Sequence, residues 1–220
     1  MPKSLVTGAN RGIGLALCQL LRKRGDDVIA VCRGTSEALD RLGAEVVAGI
    51  DVKSDASVAE LARRLKGTRL DLLILNAGIL RESGLARLDL EDVNEQLAVN
   101  AVGPLRVTHA LLPNLGQGSK VAVITSRMGS MADNGSGGYY GYRMSKAALN
   151  AAGVSLAVDL RPKGIAVAIL HPGYVRTDMT AHSGSVEPAE AARLLLARID
   201  QLTLTTSGQF LHANGERLPW

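Results

Sequence analysis

Aromatic residues are scarce in this sequence. Its 220 residues include one tryptophan, one phenylalanine and four tyrosines. Val, Leu, Ile and Ala must therefore fill the core. Cysteine is scarcer still. Cys18 and Cys32 stand in apolar helix-like and strand-like contexts. They read as small buried hydrophobes rather than a disulfide framework, which predicts a reducing, cytoplasmic setting. No apolar run approaches the length of a membrane span, so no membrane association is expected. "MPKSLVTGAN" leads almost directly into a strand-like segment, and no signal peptide is expected there. The net charge of +4 raises the question of nucleic acid, but the basic residues are scattered. The densest groups, at 22–24 and 63–64, fall late in helix-like stretches, where cations complement the helix dipole. No basic patch interleaves with aromatics, which argues against nucleic-acid binding. No metal site is predicted.

What the chain does have is alternation. Apolar, β-branched runs at 4–7, 27–32, 44–49, 70–76, 120–125, 165–170 and 208–213 read as strands. Helix-like stretches at 12–24, 36–42, 55–66, 91–112, 143–161 and 188–200 separate them. Strands that are apolar throughout are buried on both faces. The pattern predicts a single-domain α/β protein over residues 1–220. Its core is a doubly wound parallel sheet of about seven strands with helices on both faces. A short C-terminal region, about 174–200, is left for substrate. The chain length suits one domain.

The first strand runs into "TGANRGIG", with Gly8, Gly12 and Gly14 ahead of a helix. A tight turn, bare backbone and a helix N-terminus together suit a pyrophosphate. Glycine in a strand–helix turn is common by itself. Its position here, between the first strand and a helix, favours dinucleotide binding. The second strand ends in "AVCRG", with Arg33 and no adjacent acid. An acid there would bind the ribose hydroxyls of NAD, whereas arginine suits the 2′-phosphate of NADP. Arg11 adds a second cation. Together they favour NADP(H) over NAD(H).

Three tyrosines crowd the stretch "GSGGYYGYRMSKAALN", 135–150, beside one lysine. A phenol needs a nearby cation to favour its ionised form near neutral pH. On a helix, residues four apart share a face. Only Tyr142 stands four before Lys146. Tyr140 points elsewhere, and Tyr139 adjoins two glycines outside the helix. An isolated pair of this kind is usually a surface contact of little worth. Company changes that reading. Ser126 follows the fifth strand, at the sheet end where ligands bind. Asn100 sits mid-helix among apolar neighbours, where a buried amide needs partners such as a bent helix or an ordered water. Asn76 ends the fourth strand and can tie neighbouring loops. Asp51, after the third strand, is either an acceptor for an adenine amino group or a turn aspartate. Pro172 and Gly173 turn the chain after the sixth strand, which puts Tyr174, Val175 and Thr177 near a nicotinamide.

Taken together, "TGANRGIG" (7–14), "IDV" (50–52), "NAG" (76–78), Asn100, Ser126, "YRMSK" (142–146) and "PGYVRT" (172–177) resemble the short-chain dehydrogenase/reductase family. The stretch "SRMGSMADNGSGGYYGYRMSKAALN" is similar to its C-factor/sniffer-type carbonyl reductase branch. The resemblance implies a catalytic tetrad of Asn100, Ser126, Tyr142 and Lys146. In it Tyr142 is the general acid or base, and Ser126 positions the carbonyl oxygen. Lys146 holds the nicotinamide ribose and lowers the Tyr142 pKa, and Asn100 holds a water. The resemblance further implies cofactor contacts from Gly8, Asn10, Arg11, Gly12, Ile13 and Gly14 in the first loop. Arg33, Asp51, Val52, Asn76, Ala77 and Gly78 belong to the adenosine and central part. Tyr142, Lys146, Pro172, Gly173, Val175 and Thr177 complete the nicotinamide end.

The implied function is NADPH-dependent reduction of a small aldehyde, ketone or quinone. The alternative is an NADP-binding signalling or sensor protein of the C-factor type, with little turnover. A third possibility, an epimerase or dehydratase, is disfavoured by the short C-terminal region. Family analogy implies a homodimer or homotetramer. Two departures stand out. Ser126 and Tyr142 are widely spaced across a glycine-rich loop. "RTDMTAHSGSVEP" (176–188) is too short for a substantial helical lid. An open site of loose specificity, or one closed by a partner, is therefore expected.

Overall fold

A computed structural model describes residues 1–220. Seven parallel strands form one sheet in the order β3-β2-β1-β4-β5-β6-β7. They are β1 (Lys3–Thr7), β2 (Asp27–Val31), β3 (Glu45–Val47), β4 (Leu72–Leu75), β5 (Lys120–Ile124), β6 (Ala166–His171) and β7 (Phe210–His212). The helices are α1 (Gly12–Arg24), α2 (Glu37–Asp40), α3 (Asp55–Arg64), α4 (Leu90–Leu97), α5 (Gly103–Ala110), α6 (Tyr140–Leu160) and α7 (Pro188–Asp200). All seven expected strands and the doubly wound class are present. No helix is long and apolar enough to cross a membrane.

Alternation along each strand builds two cores. Val6, Ile74, Ala122 and Ala168 face α1 and α7, where Leu17, Leu21, Leu195 and Ile199 pack on them. Their chain neighbours Leu5, Leu73, Val121 and Val167 face the other way, against Leu61, Val107 and Leu149 of α3, α5 and α6. Both sets are almost fully buried, which is why the strands read as unbroken apolar runs. Truncating one such leucine to alanine costs about 2–5 kcal/mol.

Two local departures shape the active end. The stretch expected as one helix over 91–112 is divided. Between α4 and α5, residues Ala98–Val102 form a π-helical turn centred on Asn100. The cause is Pro104, which has no N–H for the Asn100 carbonyl and crowds it with its ring. At α6, the helix begins at Tyr140 rather than 143, so Tyr142 stands in its first turn. Tyr139 caps it in left-handed backbone at φ +51, and its N–H donates to Ser83 O at 2.7 Å.

The strand order reverses direction of travel between β1 and β4. The two halves of the sheet part there, and a crevice opens beyond the strand C-termini.

Candidate active site

That crevice is a cleft of about 830 Å³. One wall is the loop between β1 and α1. Gly8 and Gly12 both take positive φ, +67 and +54. At Gly14 a Cβ would fall 2.1 Å from the Gly8 carbonyl oxygen, so only glycine lets α1 start this close to the strand. No side chain caps α1, and its first turn holds no acidic residue. Its N-terminal amides are thus left for an anion. Behind the loop, Asn76 Nδ2 donates to Thr7 O at 3.0 Å and Gly8 O at 3.2 Å. Thr7 Oγ1 in turn accepts from the N–H groups of Asn76 and Ala77. Asn76 therefore ties the first and fourth loops, as its position suggested.

Arg11 and Arg33 both line the cleft and both are exposed. Arg11 donates to Asp178 at 2.9 Å. Asp51 also lines it, and its Oδ1 accepts from the Lys53 N–H at 3.0 Å, so it is a turn residue with a second oxygen to spare.

Across the β1–β4 junction lie Tyr142 and Lys146, buried and lining the same cleft. The Lys146 Nζ stands 5.7 Å from the Tyr142 ring centroid and donates to Ile124 O at 3.1 Å. Burial pulls the lysine down to about 8 and pushes the phenol up to about 12, the latter opposed by the Ser126 hydroxyl. The expectation that Lys146 lowers the Tyr142 pKa is not met in this arrangement. The ammonium is turned to a backbone carbonyl, and desolvation dominates.

Asn100 is fully buried behind the cleft. Its Nδ2 donates to Ile79 O at 2.8 Å and to Ser145 Oγ at 3.0 Å, while Oδ1 accepts from the Ile79 N–H at 2.8 Å. Ser145 Oγ donates in turn to Tyr142 O at 2.8 Å. Both Nδ2 protons are used within the protein, while Oδ1 keeps a second acceptor site. Ser126, two residues past β5, caps a short turn, its Oγ accepting from the Met128 N–H at 3.1 Å. Gly129 lets that turn meet α6, since a Cβ there would fall 2.6 Å from the Lys146 carbonyl carbon.

Of the residues singled out in the sequence, those of the first loop, Arg33, Asp51, Val52, Asn76, Ala77, Gly78, Tyr142, Lys146, Pro172 and Thr177 line the cleft. Asn100, Ser126, Gly173 and Val175 do not. Gly173 turns the chain at φ +92, and Val175 is buried, bridged to Val186. Sequence reasoning missed Ile79, Cys32, Met179 and His182 as lining residues. Ser145, inside "YRMSK", was the nearest available signal for the Asn100 network. The segment after Thr177 makes one 3₁₀ turn and folds back on β6's extension, with no helical lid, as its length implied.

Comparison with known proteins agrees with this geometry. The short chain dehydrogenase family model matches residues 3–188. The 1-hydroxy-2-glutathionyl-2-methyl-3-butene dehydrogenase of Rhodococcus sp. (strain AD45) is 42% identical over 226 positions, covering all of both chains. The C-signal of Myxococcus xanthus is 46% identical over 157 positions, 69% of this chain and 93% of that protein. Among solved structures, the NADPH-bound carbonyl reductase from chicken fatty liver superposes with a TM-score of 0.91 at 32% identity. That match covers 100% of this chain and 99% of the other.

Proposed function

This chain belongs to the short-chain dehydrogenase family of oxidoreductases. From that premise we propose that it is an NADPH-dependent carbonyl reductase acting on small aldehydes, ketones or quinones. The observation that carries the reading is one cleft with two differently equipped sides. Tyr142 and Lys146 are buried on one, and Arg11, Arg33 and the uncapped α1 terminus lie on the other. The donor set fits a dinucleotide with a 2′-phosphate. Arginine forks suit phosphate, the α1 amides suit a pyrophosphate, and Lys146 suits ribose hydroxyls.

When bound, the dinucleotide supplies the hydride that reduces the carbonyl carbon. The chain supplies alignment and a proton. Tyr142, held protonated by burial, gives its phenolic proton to the carbonyl oxygen as negative charge develops there. Ser126, hydrogen-bonded to the Tyr142 phenol although it is not among the cleft-lining residues, turns its hydroxyl to give that oxygen a second hydrogen bond. Below about pH 8 the Lys146 ammonium offsets the charge left on the phenolate. Asn100 and Ser145 hold the first turn of α6 against residue 79, which fixes the direction of the Tyr142 ring. General acid catalysis of this kind contributes about 10²–10⁴-fold.

A panel of aldehydes, ketones and quinones, followed by NADPH and NADH oxidation, tests the reading. Several carbonyls should be reduced, with kcat/KM at least about tenfold higher for NADPH. Preference for NADH would defeat the cofactor assignment. The similarity to the C-signal supports a second reading, an NADP-binding signalling protein with little turnover. Tight NADPH binding with no turnover across the panel would favour it.

A further inference from the structure

The segment after β6 makes a contact that carbonyl reduction does not call for. Residues Asp178–Thr180 form a single 3₁₀ turn in which Thr177 and Thr180 cap one another. The Thr180 hydroxyl also donates to Val175 O at 2.7 Å. Ala181 and His182 follow in left-handed backbone, at φ +46 and +58. Residues with a Cβ hold that conformation only where their surroundings impose it. The turn is therefore built, and what it presents is Asp178. One carboxylate oxygen accepts from Arg11 Nη1 at 2.9 Å, and the other lies 3.0 Å from His182 Nε2. Arg11, Asp178 and His182 all line the cleft beside the glycine loop.

A carboxylate thus sits on a guanidinium that the cofactor reading assigns to phosphate. Carboxylate and phosphate oxygens compete for the same donors. We propose that Asp178 is an intramolecular competitor for the cofactor's phosphate. It holds Arg11 until the dinucleotide displaces it, and so sets both affinity and the margin between NADPH and NADH. The proposal rests on the reading of this cleft as an NADP site. Its strength follows from exposure. The two side chains are 66% and 54% exposed, so the pair is weak and a phosphate dianion with better fork geometry displaces it. The displaced carboxylate remains anchored by His182 and the capped turn. It therefore stays near the incoming phosphate and repels it. NADH, lacking the 2′-phosphate, meets less of that repulsion and gains less from Arg11.

The test is a set of dissociation constants for NADPH and NADH, by calorimetry, for wild type, Asp178→Asn, Arg11→Gln and the double variant. Asp178→Asn should tighten NADPH by about two- to fivefold, the range an exposed ion pair supports, and tighten NADH by less. On the Arg11→Gln background the same change should give a clearly smaller gain, since only the direct repulsion between carboxylate and phosphate is then relieved. Unchanged or weaker NADPH binding in Asp178→Asn would overturn the proposal. So would an equal gain with and without Arg11. The wild-type values alone judge the cofactor reading. If wild type prefers NADH, that reading falls. The competition is then still decided by whether Asp178→Asn tightens the phosphate ligand more when Arg11 is present than when it is not. Thermal melts without ligand guard against a folding effect, and should agree among the four proteins within a few degrees.

Discussion

The side-chain amide of Asn100 bonds both polar groups of the Ile79 peptide, donating to its carbonyl and accepting from its N–H, each at 2.8 Å. One buried residue thereby joins the π-turn between α4 and α5 to the loop after β4. Through Ser145 it also reaches α6. Asn100→Leu would leave the Ile79 groups and Ser145 without their partner. The expected cost is roughly 2–4 kcal/mol, since buried polar groups lose their full desolvation energy when orphaned. Asn100→Asp should cost a similar amount, because a carboxylate oxygen would then face the Ile79 carbonyl. Denaturant midpoints measure both, and a change below about 0.5 kcal/mol would mean the network is not structural.

Gly14→Ala should damage dinucleotide binding more than stability. Its Cβ would lie 2.1 Å from Gly8 O and 2.6 Å from Asn76 Nδ2, so the glycine loop must move. Stability should fall by about 1–3 kcal/mol, the cost of overpacking, and NADPH binding by at least about tenfold. Gly84→Ala is the matched control, with open space around it and ordinary backbone. It should change neither quantity.

Lys146→Met separates function from stability. Burial depresses the folded pKa to about 8 from 10.5. Below about pH 8 the folded protein therefore bears a penalised charge, and stability from this group rises between about pH 8 and 10.5. At pH 7 the methionine variant should be more stable by roughly 1–3 kcal/mol, yet almost inactive. Wild-type turnover should decline as pH rises through about 8, where the ammonium is lost. A variant that is less stable at pH 7 would show that the Ile124 hydrogen bond outweighs desolvation.

His171 predicts an acid limb. It ends β6 with its ring 5.0 Å from that of His212, edge to face, and its Nδ1 has no partner. Burial first, then His212, Arg127 and Lys146, lowers its pKa to about 3 from 6.5. The neutral imidazole contributes stability in full above pH 6.5, and that contribution is lost as pH falls towards 3. His171→Asn should flatten the stability profile between about pH 6.5 and 4. An unchanged slope would place the acid sensitivity elsewhere.

Much of this was legible in the sequence because each part depends on local pattern. Unbroken apolar strands gave the sheet, and the glycine spacing between the first strand and a helix gave the first loop. The four-residue step from Tyr142 to Lys146 picked one tyrosine from three neighbours. What stayed hidden depends on contacts between distant segments. The division of 91–112 was in principle visible in Pro104, four residues after Asn100, yet its meaning appears only when Ile79 is seen against the amide. Ile79, Met179 and His182 reach the cleft by chain path, which no short motif encodes. The bond from the Lys146 ammonium to Ile124 was not legible, because spacing fixes a shared helix face and says nothing of a carbonyl on β5. Asp178 on Arg11 joins residues 167 apart in sequence.

The most direct measurement is NADPH oxidation with a reducible carbonyl by Tyr142→Phe, read beside its NADPH dissociation constant. Loss of only the phenolic oxygen should lower kcat by at least about 10²-fold, with NADPH binding held within about twofold of wild type. Tyr140→Phe, which removes the hydroxyl of a half-exposed neighbour, should keep wild-type turnover. Near-normal turnover by Tyr142→Phe would contradict the assignment of Tyr142 as the proton donor.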